Sequence, residues 1–461
     1  MKIPQALIDS LQNVKGFHEE AFIKIHEQSE SPTSIRLNPF KPIQKWGISQ
    51  ENTTDEGVSQ VPWCEKGRYL ATRPKFTFDP LFHAGAYYVQ EASSMFLETA
   101  LKQTVDLTKD LKVLDLCAAP GGKSTLINSL LTPESLLISN EVIRSRANIL
   151  ADNLTRWGTM NTVVTNNDPK DFARLTGFFD VLVIDAPCSG SGLFRKDPEA
   201  INEWSLDNVT MCSLRQKRII GDVWASLKEG GTLIYSTCSY SEAENEDIVK
   251  WICEEFGAKN LTLDIANFQI NTDLENTKAQ SSLRFYPDQI KGEGFFIAAF
   301  KKLNSEKETF IRSGKPIKNN SRRTEREIFR TWVNGIDNFT WFEKNDDYFL
   351  INPDHEHIIK LLQSNLYLRK AGIRMGKIAG KDLIPDHELA LSLYLSENIA
   401  RRELSREQAI SYLRRDDFTL EQAQKGWSLM TYEDHGLGWA KILPNRINNY
   451  YPKELRILSR A

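Results

Sequence analysis

The stretch that most constrains the fold of this chain covers residues 179–192, FDVLVIDAPCSGSG. It begins as a short apolar run rich in Val and Ile and ends abruptly in polar and small residues. Such a run is typical of a buried parallel strand that delivers side chains into a crevice at its carboxyl end. Pro187 lacks an N–H donor and fixes its own φ, so we expect it to hold Asp185 and Cys188 on a stiff turn. The stretch therefore predicts a strand end that presents a carboxylate and a thiol.

A second strand end of the same kind covers residues 230–239, GGTLIYSTCS, where Cys238 takes the place of Cys188. Burial in the core is the commonest fate of a free cysteine, and it is the alternative explanation for each thiol taken alone. Two thiols at two strand ends, one of them beside Asp185, instead favour cysteine nucleophile chemistry. One helical crossover fits between the two stretches, as parallel strands require.

Strand and helix patterns alternate through the middle of the chain. The predicted strands are 111–116, 136–139, 162–165, 179–184, 231–236 and 294–301, and the predicted helices are 122–131, 144–157, 207–227 and 242–256. Alternation at this spacing predicts an α/β fold with a doubly wound, mostly parallel sheet and helices on both faces. Ligands of such folds bind outside the carboxyl ends of the strands.

The first predicted strand runs into DLCAAPGGKS, residues 115–124. Small residues and glycines at this point let the backbone approach a ligand closely, at the amino end of the next helix. The ending GGKS is also found in phosphate-binding Walker A loops. That motif requires a glycine where this chain has Cys117, so the sequence argues against a nucleoside triphosphate loop.

Two acids follow the next two predicted strands. Glu141 comes after the second strand and Asp168 after the third. Each acid alone is more typical of a solvated turn. In this order, however, the first suits ribose hydroxyls and the second an adenine amino group, so together they predict an adenosyl ligand.

The composition sets the class of protein. With 461 residues we expect two to four domains, and 41% hydrophobic and 26% charged residues are ordinary for a globular chain. We find no apolar run of about 18 residues and no signal-peptide pattern, so we expect a cytoplasmic protein without a membrane segment. Six cysteines without a CxxC or His/Cys spacing argue against a disulfide framework or a metal site. The net charge of −3 gives no overall support for nucleic-acid binding.

The chain divides into three predicted domains and a linker. Residues 1–75 combine helical spacing with a strand-like segment and predict a small α+β domain, which we expect to bind RNA. Residues 76–303 form the sheet domain, and within it 82–99 has the small and aromatic residues of a packed helix. Residues 304–327 are polar and predict a linker, and 328–461 form a C-terminal region.

The C-terminal region contains one basic stretch, residues 358–381, which has no Asp or Glu. Its basic residues and interleaved glycines make it the best nucleic-acid candidate outside the sheet domain. The candidate phosphate contacts are Arg369, Lys370, Arg374 and Lys377. A solvated basic face is the alternative.

Four of these segments together resemble the Sun/Nop family of S-adenosylmethionine-dependent RNA cytosine-C5 methyltransferases. They are DLCAAPGGKS, DAPCSGSG, STCS and GEGFFIA at 292–298. The resemblance covers about residues 60–300 and implies a Rossmann-like methyltransferase sheet with S-adenosylmethionine as cofactor. The segments 372–376, GIRMG, and 448–452, NNYYP, are similar to the PUA-like end of the bacterial ribosomal small-subunit methyltransferase F group. That similarity implies a PUA-like RNA-binding region and RNA as partner, with 16S ribosomal RNA or the small subunit as substrate.

The resemblance also implies roles for the residues of the two strand ends. Cys238 is the nucleophile that adds to carbon 6 of cytosine, and Cys188 serves the release of the product. Asp185 contacts the ring nitrogen and the exocyclic amine. Lys123 is our candidate for the cation that favours a thiolate.

The same resemblance implies a binding site for the methyl donor. Glu141 takes the ribose hydroxyls, Asp168 the adenine, and Asp185 borders the sulfonium. The loop that wraps the donor consists of Cys117, Ala118, Ala119, Pro120, Gly121, Gly122 and Lys123. The role of Arg146, in the helix after Glu141, stays open.

Three alternatives remain for the function. The same chemistry on transfer RNA is one, and a non-catalytic RNA-binding scaffold is another. A methyltransferase that acts on an amino group is the third, but its usual D/N-P-P-Y/F strand end is replaced here by DAPC at 185–188. We expect a monomer, and the sequence does not identify the target nucleotide.

Overall fold

The computed structural model describes residues 2–28, 30–43, 58–266, 268, 279–304, 323–420 and 424–459. Its largest element is a nine-stranded sheet. Five neighbouring strands run parallel, and the one that comes first in the sequence, Lys112–Asp115, lies in the middle of the five. In spatial order these five are Leu227–Thr237, Phe179–Asp185, Lys112–Asp115, Leu136–Asn140 and Thr162–Thr165. The predicted α/β fold with a largely parallel sheet is confirmed.

Antiparallel strands complete both edges of this sheet. On one side Phe295–Lys301 pairs with Leu227–Thr237, and Lys259–Leu261 and Ser282–Phe285 pair with Phe295–Lys301. On the other side Leu368–Ala371 pairs with Thr162–Thr165. This last strand comes from the C-terminal region, and the sequence did not predict it as part of the central sheet.

Helices cover both faces of the sheet. Successive strand residues point to opposite sides, so Leu114 and Leu182 lie in one core cluster and Val113 and Val183 in another. The first cluster contains residues of the helices Leu206–Trp224 and Glu246–Phe256, and the second contains residues of Leu97–Thr104 and Gly122–Leu130. Two further helices of this region are Arg144–Trp157 and the short Ala200–Glu203. This packing explains why the strands are apolar along their whole length.

The N-terminal region consists of helices Gln5–Leu11 and Glu19–Gln28 and a four-stranded antiparallel sheet. In spatial order the strands are Val58–Gln60, Gly67–Leu70, Thr33–Leu37 and Tyr87–Val89. Arg36 of the third strand is buried and donates to Thr125 Oγ1 at 2.5 Å and to the Gly122 carbonyl at 3.3 Å. Its guanidinium therefore fastens this sheet to the helix that follows the glycine loop.

The single helix predicted for residues 82–99 is wrong. Pro80–Ala84 is a short helix that ends at Gly85, whose φ is +73°. A Cβ atom at Gly85 would overlap the carbonyl oxygen of Arg156, so only glycine fits there. Tyr87–Val89 then pairs with Thr33–Leu37 instead of continuing the helix.

The C-terminal region contains two more four-stranded sheets. One has the strands Thr340–Lys344, Asp347–Ile351, Ile373–Ala379 and Asp382–Pro385, and the other has Arg401–Glu403, Gly426–Tyr432, His435–Leu443 and Arg446–Asn449. The helices here are Arg323–Trp332, Glu356–Asn365, His387–Leu391 and Arg406–Arg414. Most of the predicted linker lies outside the described residues, but its last part is the beginning of Arg323–Trp332 rather than a linker.

Two searches of the described residues gave negative results. None of the helices found there combines the length and the apolar character that a bilayer crossing requires. Within the same ranges, His, Cys, Asp and Glu side chains do not gather in groups of three that could hold a metal ion.

Candidate active site

The two predicted cysteines meet at the carboxyl edge of the central sheet. Asp185 ends one strand and pairs in register with Ser236 of the neighbouring parallel strand, so the segments that follow lie side by side. Cys188 and Cys238 are free cysteines, and their sulfur atoms are 3.1 Å apart. The structure thus brings the two thiols into direct contact.

Lys123 and Asp185 form an ion pair beside this thiol pair. The Lys123 ammonium is 2.7 Å from Asp185 Oδ2, and Ser236 Oγ donates to Asp185 Oδ1 at 2.8 Å. Burial alone would lower the pKa of Lys123, but Asp185, with smaller contributions from Cys238 and Asp115, raises that pKa above its usual value. The predicted cation is therefore held in its charged form next to the predicted nucleophile.

The two thiols have different surroundings. The hydrogen bond with Cys238, burial and the nearby charge of Glu244 raise the pKa of Cys188 well above its usual value. Cys188 therefore keeps its proton at neutral pH and is able to donate a hydrogen bond. Lys123, in contrast, interacts electrostatically with Cys238, and this attraction contributes to the raised pKa of Lys123.

One buried carboxylate joins the two cysteine segments, and the sequence did not single it out. Ser189 and Ser239 each follow a cysteine, and both hydroxyls donate to Glu244 Oε2 at 2.5 Å. The Ser189 N–H donates to Glu244 Oε1 at 2.8 Å, and Gln216 donates to the same oxygen at 3.3 Å. Glu244 is fully buried, so these bonds hold the two segments in a fixed relation. The Cys-Ser pair that occurs at both strand ends is the sequence signal that could have indicated a shared acceptor for the two hydroxyls.

A close backbone contact supports the Cys238 segment from the other side. The Gly192 N–H donates to the Cys238 carbonyl at 2.8 Å. A Cβ atom at Gly192 would lie 2.7 Å from the carbonyl oxygens of Cys238 and Gly294, closer than any side chain can stand. The glycines of the two predicted motifs therefore let three chain segments meet behind the nucleophile.

The loop from Cys117 to Gly122 is fixed by groups from neighbouring elements. The Ala118 N–H donates to the Asn140 carbonyl at 2.8 Å. Arg146 donates to the Ala119 carbonyl at 2.9 Å and lies 3.6 Å from Glu141. Arg146, whose role the sequence left open, thus connects this loop to the acid after the second parallel strand.

Asp115 lies under this loop with half of its carboxylate unpaired. Ser124 Oγ donates to Asp115 Oδ2 at 2.7 Å, whereas Oδ1 has no hydrogen-bond partner among the described residues. Burial, opposed by Ser124 and Lys123, raises the pKa of Asp115 to about 7. A buried carboxylate oxygen without a donor is the feature expected where a cationic or donor group of a ligand binds.

The two predicted adenosyl acids lie at the same edge of the sheet. Glu141 is buried, and its carboxylate accepts from the Ile143 N–H at 2.9 Å. Asp168 accepts from the Lys170 N–H at 3.2 Å and lies 3.6 Å from Arg218. Both acids follow neighbouring parallel strands, as predicted, and their ligand contacts stay a prediction.

The basic stretch of the C-terminal region differs from the surface that its sequence suggests. Lys370 is buried and pairs with Glu388, and Arg374 pairs with Asp347 at 2.6 Å. These carboxylates come from other segments, so an acid-free sequence is not an unpaired basic surface. Arg369 donates to Asn148, and Lys377 is exposed. The geometry argues against Lys370 as a phosphate contact, while Arg369 and Lys377 stay candidates.

Comparison with known proteins matches three parts of the chain to family models. Residues 3–92 match the N-terminal domain of 16S rRNA methyltransferase RsmF, 102–301 match 16S rRNA methyltransferase RsmB/F, and 400–457 match the methyltransferase RsmF PUA domain. The Rossmann-like sheet and the PUA region predicted from the sequence are thus found.

Whole-chain relatives agree with these matches. Ribosomal RNA small subunit methyltransferase F from Psychromonas ingrahamii is 32% identical over 98% of this chain and 97% of its own length. The protein of the same name from Aeromonas salmonicida is 31% identical over 92% of this chain and 90% of its own length. Among solved structures, a methyltransferase homolog protein from Pyrococcus horikoshii is 28% identical with a TM-score of 0.50, over 65% of this chain and 100% of that one. NSun6 from Pyrococcus horikoshii with SFG, at 21% identity and a TM-score of 0.53 over 66% of this chain and 99% of that one, shares the fold. The chain belongs to the family of ribosomal RNA small subunit methyltransferases F.

Proposed function

We propose that this protein methylates carbon 5 of a cytosine in 16S ribosomal RNA, with S-adenosylmethionine as the methyl donor. The observation that carries the proposal is the contact between Cys188 and Cys238 at two adjacent strand ends, beside the Lys123–Asp185 pair. A methyltransferase that acts on an amino group has no use for two thiols in contact. Membership of the methyltransferase F family supports small-subunit ribosomal RNA over transfer RNA as substrate.

Cys238 is the nucleophile of this proposal. Carbon 5 of cytosine is a weak nucleophile, and addition of a thiolate to carbon 6 turns the ring into an enamine whose carbon 5 attacks a methyl group. The Lys123 ammonium interacts electrostatically with Cys238, and we infer that this attraction favours the thiolate that this step needs. Asp185 contacts the ring nitrogen and the exocyclic amine. A proton supplied through the Lys123–Asp185 pair then neutralises the charge that develops on the ring.

Cys188 serves the release of the methylated base. In this step water takes the proton from carbon 5, and the electrons of that C–H bond form the double bond between carbon 5 and carbon 6. The bond between carbon 6 and Cys238 breaks, and its electrons return to the Cys238 sulfur. Cys188 keeps its proton and lies 3.1 Å from that sulfur, so it donates a hydrogen bond to the departing thiolate. Glu244 supports this role because it holds both cysteine segments in place.

The donor site is assigned to the loop Cys117–Gly122 and the acids around it. When bound, S-adenosylmethionine supplies a methyl group on a sulfonium. We assign Glu141 to the ribose hydroxyls and Asp168 to the adenine. The unpaired Oδ1 of Asp115 fits the amino group of the methionine part, and this oxygen is the observation that supports a donor at this place.

One chain contains all of these groups, so we propose that the enzyme acts as a monomer. Six free cysteines fit the reducing cytoplasm, where ribosomal RNA is also found. The target cytosine must leave its stack to reach the thiols, which costs least in a loop or single strand. Free ribosomal RNA and the assembled subunit both satisfy this condition.

Two experiments test the proposal. Bisulfite sequencing of total RNA from cells with and without the protein should show one or a few cytosines in 16S ribosomal RNA that lose protection without it. In a denaturing gel with labelled RNA and S-adenosylmethionine, Cys188→Ala should accumulate a covalent protein–RNA band and Cys238→Ala should form none. The reverse pattern would exchange the two roles. Retained methylation without a covalent band from either variant would refute cysteine catalysis.

A further inference from the structure

A groove on the outer side of the donor loop has no assigned function. It lies between the N-terminal sheet, the helix Arg144–Trp157 and the end of the described chain, and its volume is about 660 Å³. This lies within the usual range for small-molecule and nucleotide pockets. We name it the aromatic groove, and the lining residues used below are Arg73, Lys75, Phe76, Phe78, Phe82 and Tyr88.

Three aromatic rings of the aromatic groove each carry a guanidinium. The pairs are Arg73 with Phe76 at 5.6 Å, Arg156 with Phe82 at 5.4 Å and Arg414 with Phe78 at 5.5 Å from the ring centroid. Phe76, Phe78, Phe82 and Tyr88 are half-buried, so their rings are held in place and yet reach the groove. Fixed rings and guanidinium planes are the surfaces on which nucleic-acid bases stack.

The charge of the aromatic groove is unlike that of the whole chain. The chain has a net charge of −3, but the described residues that line this groove include Arg73 and Lys75 and no carboxylate. Both cations are exposed. A polyanion with stacking groups is the ligand that fits aromatic walls without acids.

The inner wall of the aromatic groove is shared with the donor loop. Asn153, which lines the groove, donates to the Pro120 carbonyl at 2.7 Å. The Tyr88 ring lies 3.3 Å from the position that a Cβ atom of Gly122 would take. A strand held in the groove would therefore contact the outer side of the loop that we assign to the methyl donor.

We propose that the aromatic groove binds a single-stranded stretch of substrate RNA that flanks the target cytosine. Its bases stack on the rings, and its phosphates contact Arg73 and Lys75. The choice of RNA rests on the function proposed above. The charge and ring pattern favour a single strand over a duplex, because paired bases do not expose their faces for stacking.

Binding and crosslinking locate the site without reference to methylation. The probe is a short fluorescein-labelled single-stranded RNA that carries 4-thiouridine. Arg73→Ala with Lys75→Ala should weaken its binding and reduce the slope of log affinity against log salt by about 0.7 for each lost phosphate contact. Phe76→Leu keeps the apolar packing but removes the ring, and should weaken binding about 5- to 150-fold. Photo-crosslinks should map to residues 73–89.

The matched control is Lys250→Ala with Lys259→Ala, which removes two exposed lysines far from the groove in sequence and leaves the slope unchanged. Thermal unfolding of each variant identifies any that fail to fold. If groove variants and control bind alike and no crosslink falls in 73–89, the groove is not an RNA site. If crosslinks map there but bisulfite sequencing finds no methylated cytosine, the groove stands and the proposed reaction fails. Equal losses on a duplex probe would overturn the preference for single strands.

Discussion

Replacement of Asp115 tests the electrostatics under the donor loop. The carboxylate is fully buried, has one hydrogen bond from Ser124 and has a pKa raised from 3.8 to about 7 by burial. The folded state therefore binds more protons than the unfolded state between about pH 4 and pH 7. Stability falls as pH rises through that window and levels off above it. Asp115→Asn has nearly the same shape and removes this titration.

The size of the effect follows from the pKa values. The step from 3.8 to about 7 corresponds to a cost of about 4 kcal/mol for the ionised carboxylate above pH 7, as an upper limit. At pH 5 somewhat more than a third of that cost is already present. The free energy of unfolding of Asp115→Asn, relative to that of the parent protein, should therefore increase by about 2–3 kcal/mol between pH 5 and pH 8. The new amide also lacks a partner, but that cost is the same at every pH.

Urea unfolding followed by tryptophan fluorescence at pH 5, 6, 7 and 8, without S-adenosylmethionine, measures the difference. Ser124→Ala is the matched control with the opposite sign, because its hydroxyl favours the ionised form of Asp115. That variant should lose stability more steeply as pH rises. A free-energy difference between Asp115→Asn and the parent that is equal at pH 5 and pH 8 would refute the reasoning.

Three further predictions concern other parts of the molecule. Glu244→Gln replaces one acceptor of the buried network, and we expect a loss of about 1–3 kcal/mol in urea unfolding and a slower release of the covalent RNA band; unchanged stability would contradict the network. Glu141→Ala and Asp168→Ala should each weaken the binding of S-adenosylmethionine by about 1–3 kcal/mol, measured by calorimetry. Unchanged affinity in both variants would show that these acids are not part of the donor site. Lys41 donates to two carbonyls, and burial lowers its pKa to about 7, so the stability of the parent protein relative to Lys41→Met should rise between pH 7 and pH 10 in urea unfolding. A difference between the two proteins that is the same at pH 7 and pH 10 would contradict this assignment.

The parts of the site that the sequence predicted depend on local chain geometry. A strand that ends in Asp185, or directly before Cys238, delivers that residue to the carboxyl edge wherever the strand lies in a parallel sheet. The alternation of strands and helices then brings these ends together. The placement of Cys188 and Cys238 at two strand ends of one sheet could therefore be predicted from two short stretches and their spacing, whereas their direct contact is a finding of the structure.

The parts that the sequence did not predict depend on remote partners. Glu244 holds the cysteine segments together through its bond to Ser189, which lies far away in the sequence. The residues next to Glu244 in the sequence indicated only the beginning of a helix. The positive charges of Lys370 and Arg374 are paired with the carboxylates of Glu388 and Asp347. The prediction of one helix over 82–99 was wrong for the same reason, because the strand Tyr87–Val89 forms only by pairing with Thr33–Leu37 of the N-terminal sheet. Propensity and local charge do not contain such information.

The strand Leu368–Ala371 is translated long after the sheet edge that it covers. It pairs with Thr162–Thr165, which would otherwise be an edge strand of the central sheet. The two strands are far apart in the sequence, since the nearby contact between Asn167 and Tyr367 joins residues 200 positions apart. A nascent chain therefore carries an open strand edge until the ribosome has translated the C-terminal region, and unpaired edges recruit strands from other chains. Chains truncated before residue 368 should consequently aggregate during expression even though every group of the proposed catalytic site has already been made.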